Sequence, residues 1–229
     1  MLFKKLEDKK TWLFDLDNTL YSPEIGIFSQ IDTKMKKFIS LKLGISEQKS
    51  FLVQKEFYLR YGTTLYGLMK HHKIDPEEFC DYVHDINLKN LKSSKILKEK
   101  LQILPGIKII YTNGDYKYAE KVLNSLGIRE VFNDIFDIKK SNYLPKPMKT
   151  SLNKIIKQYQ LNPNKTVYFD DLEKNLKPAF FRGFTTIHIS NTFSDELNSY
   201  IDFRFSTVIN ALDMIIKVLN IGKNNELTN

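Results

Sequence analysis

The chain predicts an α/β fold, a parallel sheet with helices packed on it, interrupted by a helical insertion after the first strand. Three observations carry this. β-rich runs alternate with helical runs up to about residue 20 and again from about residue 92, as expected of a parallel sheet. The stretch between, residues 21–91, has little strand character. Several apolar runs also stop at polar or acidic clusters, and open α/β sheets bind ligands at the carboxyl ends of their strands.

In chain order, residues 13–15 read as the first strand, a short apolar run that stops at acids. Such a run is the mark of a buried strand. Within the insertion, Ile31, Met35, Phe38 and Ile39 recur at helical spacing, and Phe51, Val53, Phe57 and Tyr58 do so less regularly. Gly44 and Asp75-Pro76 punctuate these helices. Strands follow at 108–112, 134–138, 167–170 and 185–189, with helices at 116–126, 150–159 and 172–181. A strand end at Phe205 leads into an amphipathic helix to Asn220, with Val208, Leu212, Ile215, Ile216 and Leu219 on its apolar face. From Ile221 the chain turns polar, and residues 221–229 are expected to form a flexible tail. The expected organisation is a discontinuous core of residues 1–20 and 92–220, the insertion of residues 21–91, and that tail.

Four segments carry the chemistry. In Phe14-Asp15-Leu16-Asp17-Asn18-Thr19, two carboxylates follow the first strand one residue apart. Alternation along an extended chain points both to one side. Their mutual repulsion needs compensation, and a Mg²⁺ ion suits hard oxygen ligands. One carboxylate can then act as nucleophile while the other moves protons. At the end of the second core strand stand Thr112-Asn113-Gly114, a hydroxyl, an amide and a glycine able to cradle a phosphate. Lys146 sits between Pro145 and Pro147, a cation on a stiffened backbone. Asp170-Asp171 end another apolar strand, with Asn175 shortly after. Singly, these are an acidic turn, an ordinary turn, a surface lysine and an acidic helix start. The order of all four makes the signal.

That ordered set resembles the haloacid-dehalogenase-like (HAD) superfamily of phosphotransferases, from about Trp12 to about Ile189. Tyr21-Ser22-Pro23, Tyr61-Gly62-Thr63-Thr64-Leu65, His84-Asp85-Ile86 and Leu172-Glu173-Lys174-Asn175-Leu176 look like its pyrimidine 5′-nucleotidase group. Leu172 departs from the small hydroxyl residue common after the acidic pair. The resemblance implies a Rossmann-like three-layer core with a parallel sheet and a helical, C1-type cap formed by the insertion. It implies Asp15 as nucleophile and Asp17 as acid and base. Mg²⁺ would be held by Asp15, the Asp17 carbonyl and Asp171, with Asp170 as a close second acid. Thr112 and Asn113 would bind phosphate, and Lys146 would neutralise Asp15 and the transferring group. Tyr21, Arg60, Tyr61 and Thr64, in the hinge or cap, are candidates to meet the leaving group, by stacking on a pyrimidine or bonding its edge. The equally simple alternative is that the aromatics pack within the cap.

Composition restricts the function classes. At 229 residues, 42% hydrophobic, the chain can bury a large core. One cysteine, Cys80, precludes an intramolecular disulfide, which agrees with a reducing, cytoplasmic setting. No apolar stretch approaches the ~20 residues that span a bilayer, and the first ten residues lack a secretory apolar run. The net charge of +8 invites a nucleic-acid partner. The lysines are dispersed among acids, however, and no nucleic-acid signature accompanies them. His71, His72, His84 and His188 form no metal-ligand pattern along the chain and read as structural or solvated. The expected activity is hydrolysis of a small phosphorylated substrate, a pyrimidine nucleoside 5′-monophosphate first. A sugar phosphate or phosphoglycolate is the nearest rival within the same chemistry. A dehalogenase needs neither a proton donor at Asp17 nor a metal-binding acid pair. From another class, a basic nucleic-acid binder on an inactive scaffold conflicts with the full set of motif acids and Lys146.

Overall fold

The computed structural model describes residues 2–192 and 198–226. Six strands form one parallel sheet: β1 (Thr11–Phe14), β2 (Ile107–Tyr111), β3 (Asp134–Phe136), β4 (Thr166–Asp170), β5 (Thr185–Ile189) and β6 (Phe203–Phe205). Their spatial order is β3-β2-β1-β4-β5-β6. The chain leaves β1 for β2 on one side and returns to β4 on the other, so the switch in strand order lies at β1. Ligands of open α/β sheets bind outside the carboxyl ends of the strands at such a point.

Alternation divides the core into two layers. Trp12, Phe14, Ile110, Val167, Phe169 and Ile187 face one way, and Leu13, Ile109, Tyr111 and Tyr168 face the other. The first face packs on α5 (Lys95–Ile103), α6 (Tyr116–Leu126) and α9 (Val208–Glu226); the second on α7 (Lys149–Gln158) and α8 (Glu173–Phe180). Every residue of β1, β4 and β5 is buried, which explains the apolar runs Trp12-Leu13-Phe14 and Val167-Tyr168-Phe169; β5 buries Thr185, Thr186 and His188 as well. Phe14 stacks on Phe169 at 4.3 Å across the β1–β4 pair.

Four helices fill the interval between β1 and α5: α1 (Ile27–Leu43), α2 (Glu47–Tyr61), α3 (Thr64–His72) and α4 (Pro76–Val83). Ser46, Thr63 and Asp75 cap the N-termini of α2, α3 and α4, and Gly44 closes α1 in the left-handed conformation. Ile31, Phe38 and Ile39 are buried as their spacing predicts. Phe51 is 42% exposed, so the irregular spacing on α2 reflects a residue that faces outward.

The differences from expectation are at element ends. Asp15, Thr112 and Ile138 lie just past their strands rather than within them. Asp15 and Thr112 still donate one backbone bond each to the neighbouring strand, to the carbonyls of Phe169 and Phe136. Helix α9 runs to Glu226, into the segment expected to be a tail; a nucleated helix extends cheaply. Residues 227–229 lie outside the described residues. Among the described residues, no helix is long and apolar enough to cross a membrane.

Candidate active site

Past β1 the chain turns sharply, with Asn18 at φ +60°, a conformation that asparagine tolerates better than most residues. The turn buries Asp15, which is 6% exposed. One Asp15 oxygen accepts the Lys146 ammonium at 2.6 Å and the other accepts the Thr19 hydroxyl at 2.9 Å. Lys146 spends its other two protons on Asp170 at 2.9 Å and the Tyr111 carbonyl at 2.8 Å. The Asn113 side chain fixes the lysine's backbone, accepting the Lys146 N–H at 2.8 Å.

Asp170 is wholly buried. Besides Lys146 it accepts the Tyr168 hydroxyl, the Leu172 N–H at 2.9 Å and the Asn175 amide at 2.9 Å. Its carboxylate is saturated and lies behind the pocket, where it anchors the lysine. Asp171 differs. It lines the pocket, and among the described residues its carboxylate makes no hydrogen bond. His188 holds its backbone carbonyl at 2.9 Å. Ligand oxygens of Asp15, Asp170 and Asp171 all lie within 4.8 Å of one another.

This crowding sets the electrostatics. Burial, then the charges of Asp15 and Asp170, pushes the Asp171 carboxyl up to about 9. Burial pushes Asp15 up to about 7, against the pull of Lys146 and with the push of Asp170 and Asp17. Lys146 is held firmly protonated: burial opposes its charge, but Asp15 and Asp170 outweigh it. One ammonium thus faces three nearby carboxylates. This surplus of negative charge, made of hard oxygen donors, fits a divalent cation such as Mg²⁺.

Asp17 also lines the pocket and accepts hydrogen bonds from the Tyr21 and Tyr118 hydroxyls. Burial first, and Asp17 second, raises both phenols far above their ordinary range, so both remain donors. The His84 ring stacks on Tyr118 at 4.4 Å and bonds through Nδ1 to Asp115, which caps α6. Burial would raise the Asp115 carboxyl, but His84 and the N–H groups opening α6 hold it lowered. The expectation that His84 forms no metal-ligand pattern is therefore corrected, while its structural role, as the partner of Asp115 and Tyr118, stands. Ligand atoms of Cys80, His84 and Asp115 lie within 4.8 Å of one another, because the fold brings the start of α6 against the end of α4.

The pocket, of about 330 Å³, lies between the sheet edge and the four-helix insertion. Thr112 is there, its oxygen accepting the Gly114 N–H at 2.9 Å, which leaves the hydroxyl proton to donate. Of the four residues expected to meet a leaving group, only Thr64 lines the pocket. Tyr21 is corrected to a partner of Asp17. Arg60 is largely exposed and pairs with Glu56. Tyr61 packs on Phe57 and Tyr66 and bonds to His71. Gln54, Lys55 and Tyr58 of α2 face the pocket. Helical phase turns Arg60 away from that stripe, whereas Tyr61 shares the stripe but stands on the last turn of α2, its ring drawn aside by Phe57, Tyr66 and His71. Sequence reasoning missed Gln54, Tyr58, Lys174 and Tyr118. Only the phase of α2 could have pointed to the first two. Lys174 of α8 sits 3.7 Å from the Tyr58 ring centre, joining the two sides of the cleft. Gly62 sits at φ +91°, and a Cβ there would come within 3.0 Å of the Lys146 carbonyl. The end of α2 thus touches the lysine loop through a position that needs glycine.

A model of haloacid dehalogenase-like hydrolases matches residues 9–179. Phosphate metabolism protein 8 of Saccharomyces cerevisiae is 26% identical over 137 residues, covering 56% of this chain and 43% of the yeast protein. The chain thus matches less than half the length of that relative. A HAD phosphatase from Thermococcus onnurineus superposes with a TM-score of 0.61 at 20% identity, over 92% of this chain and 99% of that one. YfnB of Bacillus subtilis, described as a HAD-hydrolase bound to magnesium, gives 0.59 at 16% identity, over 91% and 98%. The L-2-haloacid dehalogenase of Xanthobacter autotrophicus, with chloropropionic acid covalently bound, gives 0.58 at 12% identity, over 90% and 98%. At such identities these structures share the fold, on which different chemistries are built.

Proposed function

The chain belongs to the haloacid dehalogenase-like hydrolases, and we propose that within them it is a Mg²⁺-dependent phosphomonoester hydrolase, acting first on pyrimidine nucleoside 5′-monophosphates. The observation that carries this is the division of labour among the acids. Asp15 is clamped by Lys146, Asp17 by two tyrosines, and Asp171 is left open to the pocket.

In this reading an Asp15 oxygen attacks phosphorus, and the bond from phosphorus to the leaving oxygen breaks. Asp17 gives its proton to that oxygen. Asp17 then takes a proton from water, which attacks the phosphorus of the aspartyl-phosphate and releases inorganic phosphate and the Asp15 carboxylate. Lys146 stays protonated throughout and offsets the charge on Asp15 and the transferring group. The Thr112 hydroxyl and the Asn113 N–H, which donates no hydrogen bond among the described residues, hold phosphate oxygens. Asp15, Asp171 and the Asp17 carbonyl would hold Mg²⁺, which when bound supplies neutralisation of the phosphate and of the excess carboxylate charge. The four-helix insertion serves as a cap that excludes bulk water. The small, largely apolar pocket under it supports a one-ring leaving group over a two-ring one.

A panel of phosphomonoesters, assayed with Mg²⁺ and after chelation, tests this. Expected are Mg²⁺-dependent release of phosphate and higher kcat/KM for UMP and CMP than for GMP and AMP. Preference for phosphoglycolate or a sugar phosphate would overturn the nucleotide assignment alone. Full activity after exhaustive chelation would overturn the metal assignment.

A further inference from the structure

Among the described residues, the insertion side of the pocket carries one buried polar side-chain atom without a hydrogen-bond partner. Gln54 of α2 is only 3% exposed. Its side-chain nitrogen donates to an Asp32 oxygen at 2.7 Å. A carboxylate can only accept, so the amide must present its NH₂ to Asp32 and turn its oxygen away. That oxygen is buried and has no hydrogen-bond partner among the described residues. Burying an acceptor unpaired is costly, and such an atom in a binding pocket calls for a donor from outside. The Thr64 hydroxyl bonds the Gln54 carbonyl at 3.2 Å, which ties this part of α2 to the start of α3 and fixes the side chain's origin.

Gln54 and Asp32 both line the pocket, among Phe28, Ile31, Met35 and Phe79. We propose that they form a subsite for the exocyclic amine of a planar heteroaromatic leaving group, so that cytosine is preferred to uracil; this rests on the nucleotidase reading above. Two acceptors side by side match the two N–H bonds of one amino group. Uracil puts a carbonyl where cytosine has its amine, and that carbonyl would face the two acceptors. Lys55 lies 3.4 Å from the same Asp32 oxygen and meets part of its charge. The remaining demand is for a neutral N–H donor between apolar walls, rather than for an ammonium ion.

The test compares CMP with UMP in the full-length protein, and in parallel measures cytidine and uridine binding by calorimetry. The wild type should favour CMP in kcat/KM by about 10-fold or more. Gln54→Leu, which keeps the volume and removes the acceptor, should bring that ratio close to 1. Asp32→Asn, at a partly exposed site that tolerates the change, supplies a donor and should move the ratio toward UMP even if the leucine variant fails to fold. A wild-type ratio near 1, or a ratio unmoved in folded variants, overturns the subsite. If glycerol 2-phosphate is hydrolysed and neither nucleotide is, the nucleotidase reading fails. The nucleoside arm then decides the subsite alone: cytidine bound no more tightly than uridine overturns it.

Discussion

The two walls of the cleft are built on opposite principles. On the sheet wall charge is concentrated and partly answered from within: Lys146 fills its three donor positions on Asp15, Asp170 and Tyr111, while the Asp171 carboxylate and the buried side-chain oxygens of Asn18 and Asn175 have no hydrogen-bond partner among the described residues. On the helical wall the surface is mainly apolar, and the buried Gln54 oxygen has no partner among the described residues. The first wall is organised before any ligand arrives, which is what electrostatic stabilisation of a developing charge requires. The second leaves a specific need that a ligand can meet, which is how discrimination arises. Substitutions on the sheet wall should therefore disturb stability and chemistry together, and substitutions on the helical wall should disturb choice.

The largest effect is expected at Lys146. Lys146→Ala leaves Asp15 and Asp170 buried without a counter-charge, a loss of about 3–5 kcal/mol. Because Asp15 is neutral below about 7, the loss should be greater at pH 8 than at about pH 5. Urea unfolding at the two values reads this directly, and equal losses would contradict the ion-pair account.

The open Asp171 sharpens the comparison. Asp15 and Asp171 ionise near 7 and 9 when folded, against an ordinary 3.8. Between these limits the folded chain holds protons that the unfolded chain has lost. The stability of the metal-free protein should therefore fall as pH rises from about 4 to about 9. Cation binding needs both groups ionised, so stabilisation by Mg²⁺ should grow over the same window. Melting curves with and without Mg²⁺ check this; a gap that narrows with rising pH would refute it.

A smaller effect belongs to the tyrosines. Tyr118→Phe removes one of the two hydroxyls on Asp17 and should lower kcat by about 10-fold with little change in KM. A rise in KM with kcat intact would move Tyr118 from positioning the acid to binding. Smallest of all, Arg60→Ala and Tyr61→Ala, off the pocket, should each alter the ratio of UMP to sugar-phosphate turnover by less than about 2-fold. A larger shift would mean that these side chains reach the cleft.

How far the molecule could be read from its sequence follows the same division. The sheet was legible because its central strands are runs of mainly apolar residues ending in a polar cluster, as Val167-Tyr168-Phe169 does at Asp170. Asp15, Asp17, Thr112, Lys146 and Asp171 come together in one pocket because strand ends in a parallel sheet share an edge. Asp170 and Asp171 are adjacent acids that the sequence could not tell apart. Only the tertiary partners of Asp170, namely Lys146, Tyr168 and Asn175, set it behind the pocket. On the insertion, Tyr61 drew attention as an aromatic, and Gln54 drew none as a glutamine in an irregular helix. The two lie on one stripe of α2, seven residues apart, and only the contacts of Tyr61 with Phe57, Tyr66 and His71 at the helix end set it off the pocket. Tyr118 and the His84–Asp115 pair depend on contacts between elements far apart in the chain, for which no local pattern exists.

The central claim is that Asp15 takes the phosphoryl group and Asp17 manages the protons. Asp17→Asn keeps the nucleophile and removes the base that activates water, and p-nitrophenyl phosphate has a leaving group that departs without a proton. Incubation of this variant with that ester and Mg²⁺, followed by acid quench and peptide mass mapping, should find one phosphoryl group on the peptide that carries Asp15, with one equivalent of nitrophenol released. Release of nitrophenol with Asp15 unmodified and the phosphoryl group elsewhere on the chain, or already free as phosphate, would contradict the account.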